Sequence, residues 1–203
     1  MQKIFAFGVF VSITAGCATM MSDSETRAKA IEVMKGSFKE RGQAKLDRLN
    51  QDETQALCSQ YTAELPKDVA QKIESLNLKT IKYPADGNMI GDWKEGEKIA
   101  QSGTGKQFTD NPDLPSGANC YACHQLSPQE LSFGNIGPSL YRFGTTRGNS
   151  ADTLKYTWGK VYNAQAFSAC SNMPRFGHNG ILTEQQIRHV VGLLLDPNSP
   201  VNK

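Results

Sequence analysis

Apolar residues recur along this chain at the spacing of helices, and no run alternates in the manner of a strand. The clearest pattern lies near the end, where apolar residues at i, i+3, i+4 and i+7 from Ile187 form one helical face. Thr183 can cap this helix, Gln186 completes a capping box, and Asp196-Pro197 ends the helix. The hydrophobic pattern therefore predicts an all-α fold.

Weaker patterns predict further helices upstream. One begins at the cap Ser24, and another begins with Pro66 as its first helical residue. A third begins at Asp92, which can form a capping box with Glu95, and a fourth begins at Ala151. Further amphipathic turns lie between residues 46 and 61. Residues 83–87 read Tyr-Pro-Ala-Asp-Gly and interrupt the pattern. We place a boundary there, between a helical N-terminal extension over residues 18–87 and a second domain over residues 88–203.

A Cys-x-x-Cys-His run is the most specific chemical signal in the chain. It comprises Cys120, Cys123 and His124, the pattern to which haem c is covalently attached. Two thiols at a helix start can reach both vinyl groups of one porphyrin, and the adjacent imidazole can bind the iron. A zinc site would need a second cysteine pair, and a redox dithiol would need a preceding strand, where residues 111–117 read as a loop. We expect one covalently bound haem c with His124 as an iron ligand.

The N-terminus has the features of an export signal. A short basic head precedes the apolar run Ile4–Ala15, which is too short for a stable membrane span. The sequence up to Cys17 resembles a bacterial lipoprotein signal, in which this cysteine is acylated, although Thr14 departs from the usual residue. Ordinary cleavage, for instance after Ala18, is the alternative. Both readings predict a periplasmic protein, with residues 1–17 as the signal and a possible lipid anchor.

Charge and cysteine count add two points. The formal net charge of the 203 residues is only +2, which gives no reason to expect a nucleic-acid partner. Of the five cysteines, Cys58 and Cys170 remain once the signal and haem cysteines are assigned. In an oxidising compartment we expect these two to form a disulfide. The alternative is that one of them is a reactive thiol that carries sulfur.

From residue 88 onward, the order of helix, haem motif, middle helices, methionine loop and final helix resembles class I cytochrome c. The resemblance implies that Met173 is the second iron ligand, with His178 as a competitor and a plain core methionine as the alternative. It also implies that the Pro138 carbonyl accepts a hydrogen bond from the haem histidine. Arg175 is a candidate partner for a haem propionate.

Longer motifs resemble one family more narrowly. Residues 133–140 (FGNIGPSL), 162–167 (YNAQAF), 173–180 (MPRFGHNG) and 195–202 (LDPNSPVN) are similar to the SoxX family. The resemblance covers roughly residues 90–203, and the preceding segment is longer than a minimal member needs. SoxX is the monohaem subunit of the SoxAX cytochrome of bacterial thiosulfate oxidation.

This resemblance implies a function. SoxAX is a haem-dependent L-cysteine S-thiosulfotransferase that couples thiosulfate to a cysteine of the carrier protein SoxYZ. The SoxA subunit carries out the sulfur chemistry, and SoxX passes the electrons to a soluble cytochrome acceptor. We therefore expect a heterodimer with SoxA and no catalytic residue in this chain. The alternatives are a free-standing periplasmic electron carrier, a ligand-binding or peroxidase-like haem protein, and a persulfide carrier at Cys58 or Cys170.

Overall fold

The computed structural model describes residues 22–61 and 64–203, and this part of the chain is helical with a single isolated β-bridge, between Arg41 and Ala44. The expectations for the export signal and for Cys17 lie outside the described residues. The α-helices are α1 (Asp23–Ser37), α2 (Glu53–Cys58), α3 (Lys67–Leu78), α4 (Trp93–Gln101), α5 (Phe143–Arg147), α6 (Ala151–Tyr162) and α7 (Glu184–Leu195). Three 3₁₀ turns cover Leu46–Leu49, Cys120–Ala122 and Ala164–Ala166. The predicted all-α class is confirmed.

The described residues fall into two units, which divide after Phe38. The described part of the first unit is α1, a helix without a buried residue. Its cap is Ser22 rather than the predicted Ser24, because the Ser22 hydroxyl accepts from the Glu25 N–H while the Glu25 carboxylate accepts from the Ser22 N–H.

The boundary predicted after residue 87 lies inside the second unit. α3 packs against the 3₁₀ turn Ala164–Ala166, and the Asn163 amide donates to the Asn77 side-chain oxygen at 2.9 Å. The indole N–H of Trp158, a fully buried side chain, donates to the Lys82 carbonyl at 2.8 Å. Residues 39–87 therefore share a core with the rest of this unit.

The crossing of α4 and α7 is the main packing contact of the second unit. A Cβ at Gly96 would lie 2.2 Å from the His189 carbonyl oxygen, so only glycine allows this close approach. The core around the crossing contains Ala100, Trp158, Ile187, Val191 and Leu193. Gly96 therefore lets α7 pack directly against the backbone of α4.

Three further helix starts can be compared with the sequence predictions, and one of them matches fully. Thr183 and Gln186 form the predicted capping box at the start of α7. Asp92 caps α4 by accepting from the Lys94 N–H, and the predicted box with Glu95 is wrong because that carboxylate pairs with Lys98 instead. Pro66 is the N-cap of α3 rather than its first helical residue. Within residues 22–61 and 64–203, no helix is long and apolar enough to cross a membrane.

Candidate functional site

Backbone hydrogen bonds place Cys120, Cys123 and His124 in one tight turn. The Cys120 carbonyl accepts from the N–H groups of Cys123 at 3.1 Å and His124 at 2.9 Å. Asn119 enters the turn with a left-handed φ of 47°. The turn is a short 3₁₀ segment rather than the start of an α-helix, since the chain then folds back and Gly134 N–H donates to the Tyr121 carbonyl at 2.8 Å.

The His124 ring is held by the segment that follows this turn. Its Nδ1 atom lies 2.7 Å from the Pro138 carbonyl oxygen, the partner that the sequence resemblance implies. A carbonyl oxygen can only accept, so Nδ1 carries a proton and donates it, and in the neutral ring Nε2 then has a free lone pair. This is the arrangement in which a histidine binds a metal ion through Nε2.

Gly137 lets this segment approach the ring. A Cβ at this position would lie 2.1 Å from His124 Cε1 and 2.5 Å from Nδ1, closer than any side chain can pack. The Gly137 N–H donates to the Cys123 carbonyl at 2.9 Å, and the Leu140 N–H donates to the Gln125 carbonyl at 2.7 Å. Bonds on both sides of Pro138 therefore fix its carbonyl group against the imidazole.

Cys120 and Cys123 form no disulfide. Burial raises the pKa of Cys120 to about 12, and the charges of Cys123 and Glu97 add to the effect. Thiols of redox dithiols have lowered pKa values because the thiolate is the reactive species. Cys120 lacks that activation. The described residues also hold no group of three or more His, Cys, Asp and Glu side chains suited to a metal ion.

Met173 lies in a loop before α7, partly buried against the same hydrophobic core that Cys120 contacts. Its N–H donates to the Ser171 hydroxyl at 3.2 Å. Downstream, the N–H groups of Gly177 and His178 both donate to the Tyr162 carbonyl. Partial desolvation, together with the nearby Arg175 charge, lowers the pKa of the His178 imidazole.

Contacts from residues 39–87 also reach this loop. Arg175 is buried and pairs with Asp52, with 2.5 Å between Nη2 and Oδ2, so the structure gives the arginine a protein partner. Cys58 and Cys170 are joined by a disulfide, the pair left over in the cysteine count. Sequence reasoning missed Asp52, since no local pattern links it to an arginine 123 positions away.

A comparison with known proteins finds a relative that shows the family of this chain. A protein of Aquifex aeolicus (strain VF5) described as an uncharacterized lipoprotein is 41% identical over 158 residues, which cover 75% of this chain and 73% of the relative. This chain belongs to the family of that lipoprotein. No family model matches the chain. The site described above is thus a feature of one member of this lipoprotein family.

Proposed function

We propose that this chain is the monohaem electron-transfer subunit of a SoxAX-type L-cysteine S-thiosulfotransferase. The observation that carries the proposal is the contact of His124 Nδ1 with the Pro138 carbonyl at 2.7 Å, next to two cysteines of the same turn that form no disulfide. The contact uses Nδ1 and orients the ring by a bond that leaves Nε2 available as a ligand atom. A histidine fixed in this way beside a Cys-x-x-Cys pair suits a haem c better than a zinc ion or a redox reaction.

The residues present fit the cofactor. Cys120 and Cys123 would hold it through thioether bonds, and His124 Nε2 and the Met173 sulfur would bind its iron. Ile136, beside Gly137 in the chain, leaves 70% of its surface exposed, and an apolar cofactor would cover such a side chain. Haem c supplies one-electron transfer, and methionine ligation raises its reduction potential.

The side chains of this site suit electron transfer rather than sulfur chemistry. His124 and Met173 would be the two protein ligands of the iron, and the Pro138 carbonyl accepts the Nδ1 proton of His124, so neither residue is left to act as an acid or base. Catalysis at sulfur would then belong to a SoxA-type partner, which couples thiosulfate to the carrier cysteine of SoxYZ. This chain would accept the released electrons and pass them to a soluble cytochrome, with no catalytic residue of its own.

The fold and the relative support the same proposal. The α4–α7 crossing, the cysteine turn between them and the methionine loop before α7 agree with a class I cytochrome c-like domain. The Aquifex aeolicus relative is described as a lipoprotein, which supports export and acylation at Cys17. A periplasmic location, with the protein tethered by a lipid on Cys17, follows from the proposal.

The test is affinity purification of the tagged protein from its native periplasm, with thiosulfate as the growth substrate. We expect equimolar recovery of a second c-type cytochrome, and reduction of this chain's haem by thiosulfate only when that partner and the carrier protein are present. An alanine variant of His124 should still co-purify with its partner but lose rapid reduction. Recovery of the chain alone, already reducible by other cytochromes, would instead favour a free-standing electron carrier.

A further inference from the structure

Three separate contacts tie the methionine loop, residues 168–178, to the segment formed by residues 52–74. The first is the disulfide between Cys58, the last residue of α2, and Cys170. The second joins the Glu74 carboxylate of α3 to the Ala169 N–H, which donates to it at 3.3 Å. Both contacts hold the loop on the N-terminal side of Met173.

The third contact holds the other side of Met173. Arg175, whose side chain is only 8% exposed, donates to the Asp52 carboxylate. Asp52 is itself fixed, because the same carboxyl group caps α2 by accepting from the Gln55 N–H at 2.8 Å. The three contacts at residues 169, 170 and 175 therefore bracket Met173 within seven positions of the chain.

Residues outside this segment also hold the loop, because the Gln165 amide donates to the Ser171 carbonyl at 2.9 Å and the N–H groups of Gly177 and His178 donate to the Tyr162 carbonyl. The loop contains no regular helix, and Cys170 adopts a left-handed φ of 57° that a cysteine rarely takes. A thioether is a weak ligand on a flexible side chain, so its residence on a metal depends on how far the loop can move away. Contacts on both sides of the methionine restrict that motion, while leaving the thioether itself free of hydrogen bonds to the clamp.

We propose that residues 52–74 act as a clamp that positions Met173 on the haem iron, with Asp52, Cys58 and Glu74 as its positioning residues. This inference rests on the proposed function, because it assumes that Met173 is a haem ligand. It gives the N-terminal extension a role that the sequence did not reveal. The clamp sets how often the methionine leaves the iron, and thereby the reduction potential and the access of external ligands.

Conservative variants can separate the clamp from folding. Asp52→Asn keeps an N-cap side chain for α2 and removes only the charge that pairs with Arg175. Glu74→Leu removes the acceptor for the Ala169 N–H, whereas Glu74→Gln keeps one. Glu53→Gln is the matched control, since Glu53 pairs with Lys72 and both lie within the segment itself.

The measurements are made on the purified, haem-loaded protein: the reduction potential, carbon monoxide binding to the ferrous form, and amide hydrogen exchange of residues 168–178. For Asp52→Asn and Glu74→Leu we expect a lower potential and carbon monoxide binding faster by about threefold to tenfold, the change expected when one such contact is lost. Loop amides should exchange faster by a similar factor. Glu74→Gln and Glu53→Gln should resemble the wild type.

The outcomes distinguish the two proposals. If the wild type carries haem bound by Met173 and all four variants match it in potential, ligand binding and exchange, the clamp is wrong while the proposed function stands. If the wild type carries no haem, or if replacing Met173 leaves the spectrum of the haem unchanged, the proposed ligand set fails and the clamp fails with it.

Discussion

The imidazole of His124 donates from Nδ1 to the Pro138 carbonyl oxygen across 2.7 Å, and this bond fixes both the tautomer and the direction of the ring. The two residues lie 14 positions apart, and backbone bonds on either side of Pro138 hold them together. A histidine bound in this way donates more electron density from Nε2. The chemistry proposed for this chain depends on that single atom.

Gly137→Ala should displace the His124 ring. The added methyl group would lie 2.1 Å from Cε1, so the ring or the backbone must shift, at a cost of about 1–3 kcal/mol. We expect a lower yield of covalently attached haem and a lower free energy of unfolding. Gly36→Ala in α1 is the control, because no atom lies within 4 Å of the new methyl group there. Equal haem yields for the two variants would contradict this account of the ring.

Asn163→Ala should uncouple residues 39–87 from the rest of their unit. The fully buried Asn163 amide donates at 2.9 Å to both the Asn77 and the Thr80 side-chain oxygens, and the substitution leaves two acceptors without this donor. We expect a loss of about 1–3 kcal/mol in the free energy of unfolding, measured by denaturant titration. The wild type should unfold in one transition over residues 39–203. A separate early transition of residues 39–87 would show that the predicted boundary is a true domain boundary.

Replacing Cys58 and Cys170 by serine should destabilise the protein strongly. The disulfide closes a loop with a sequence separation of 112 residues, and the chain-entropy model gives a loss of about 4–5 kcal/mol for such a loop. The free energies of unfolding of the double variant and the wild type give the comparison. Alkylation of the unreduced wild type should label neither cysteine. Labelling of both would show that the disulfide is absent, and it would favour the alternative in which one of these cysteines is a reactive thiol that carries sulfur.

The Asp52–Arg175 pair should make stability depend on pH in the acid range. Burial alone would raise the pKa of Asp52, but hydrogen bonds from Gln55 and Arg175 outweigh it and lower the pKa in the folded state. Stability from a lowered pKa is present above the unfolded value and is lost as the pH falls through the folded one.

The expected result concerns the difference between the wild type and Asp52→Asn. At neutral pH the variant should be less stable by about 0.5–1 kcal/mol, since the Asp52 side chain is 41% exposed and solvent weakens the pair. The difference should vanish below the folded pKa of Asp52. Denaturant titrations at neutral pH and at a pH below the folded pKa of Asp52 measure this difference in the free energy of unfolding. A difference of the same size at both pH values would mean that the charge of Asp52 contributes nothing.

Periodic helices and local motifs were predictable from the sequence. α7 has a strong apolar face and its own capping box, and α6 begins at the predicted Ala151, because these signals need only neighbouring residues. The Cys-x-x-Cys-His run is also local, so its three residues share a turn. Ser24 was a wrong cap because Ser22 stands three positions before Glu25, and only that pair closes the box.

Contacts between distant residues were beyond a single sequence. Cys58 and Cys170 could be paired only by elimination, and nothing marked Asp52 as the partner of Arg175 or Glu74 as the partner of Ala169. The interruption at residues 83–87 suggested a boundary, yet α3 packs beyond it against the turn at residues 164–166. Turn residues indicate where a helix ends, but they carry no information about which element the helix packs against.

Covalent attachment of haem at Cys120 and Cys123 is the central claim, and the intact mass of the protein isolated from the cells that produce it tests it most directly. We predict a mass larger by one haem, a peptide containing residues 120–123 that retains the cofactor after denaturation, and a chain in which alkylating reagents label no cysteine of this turn. A chain that lacks this added mass, with both thiols of the turn open to alkylation, would contradict the account.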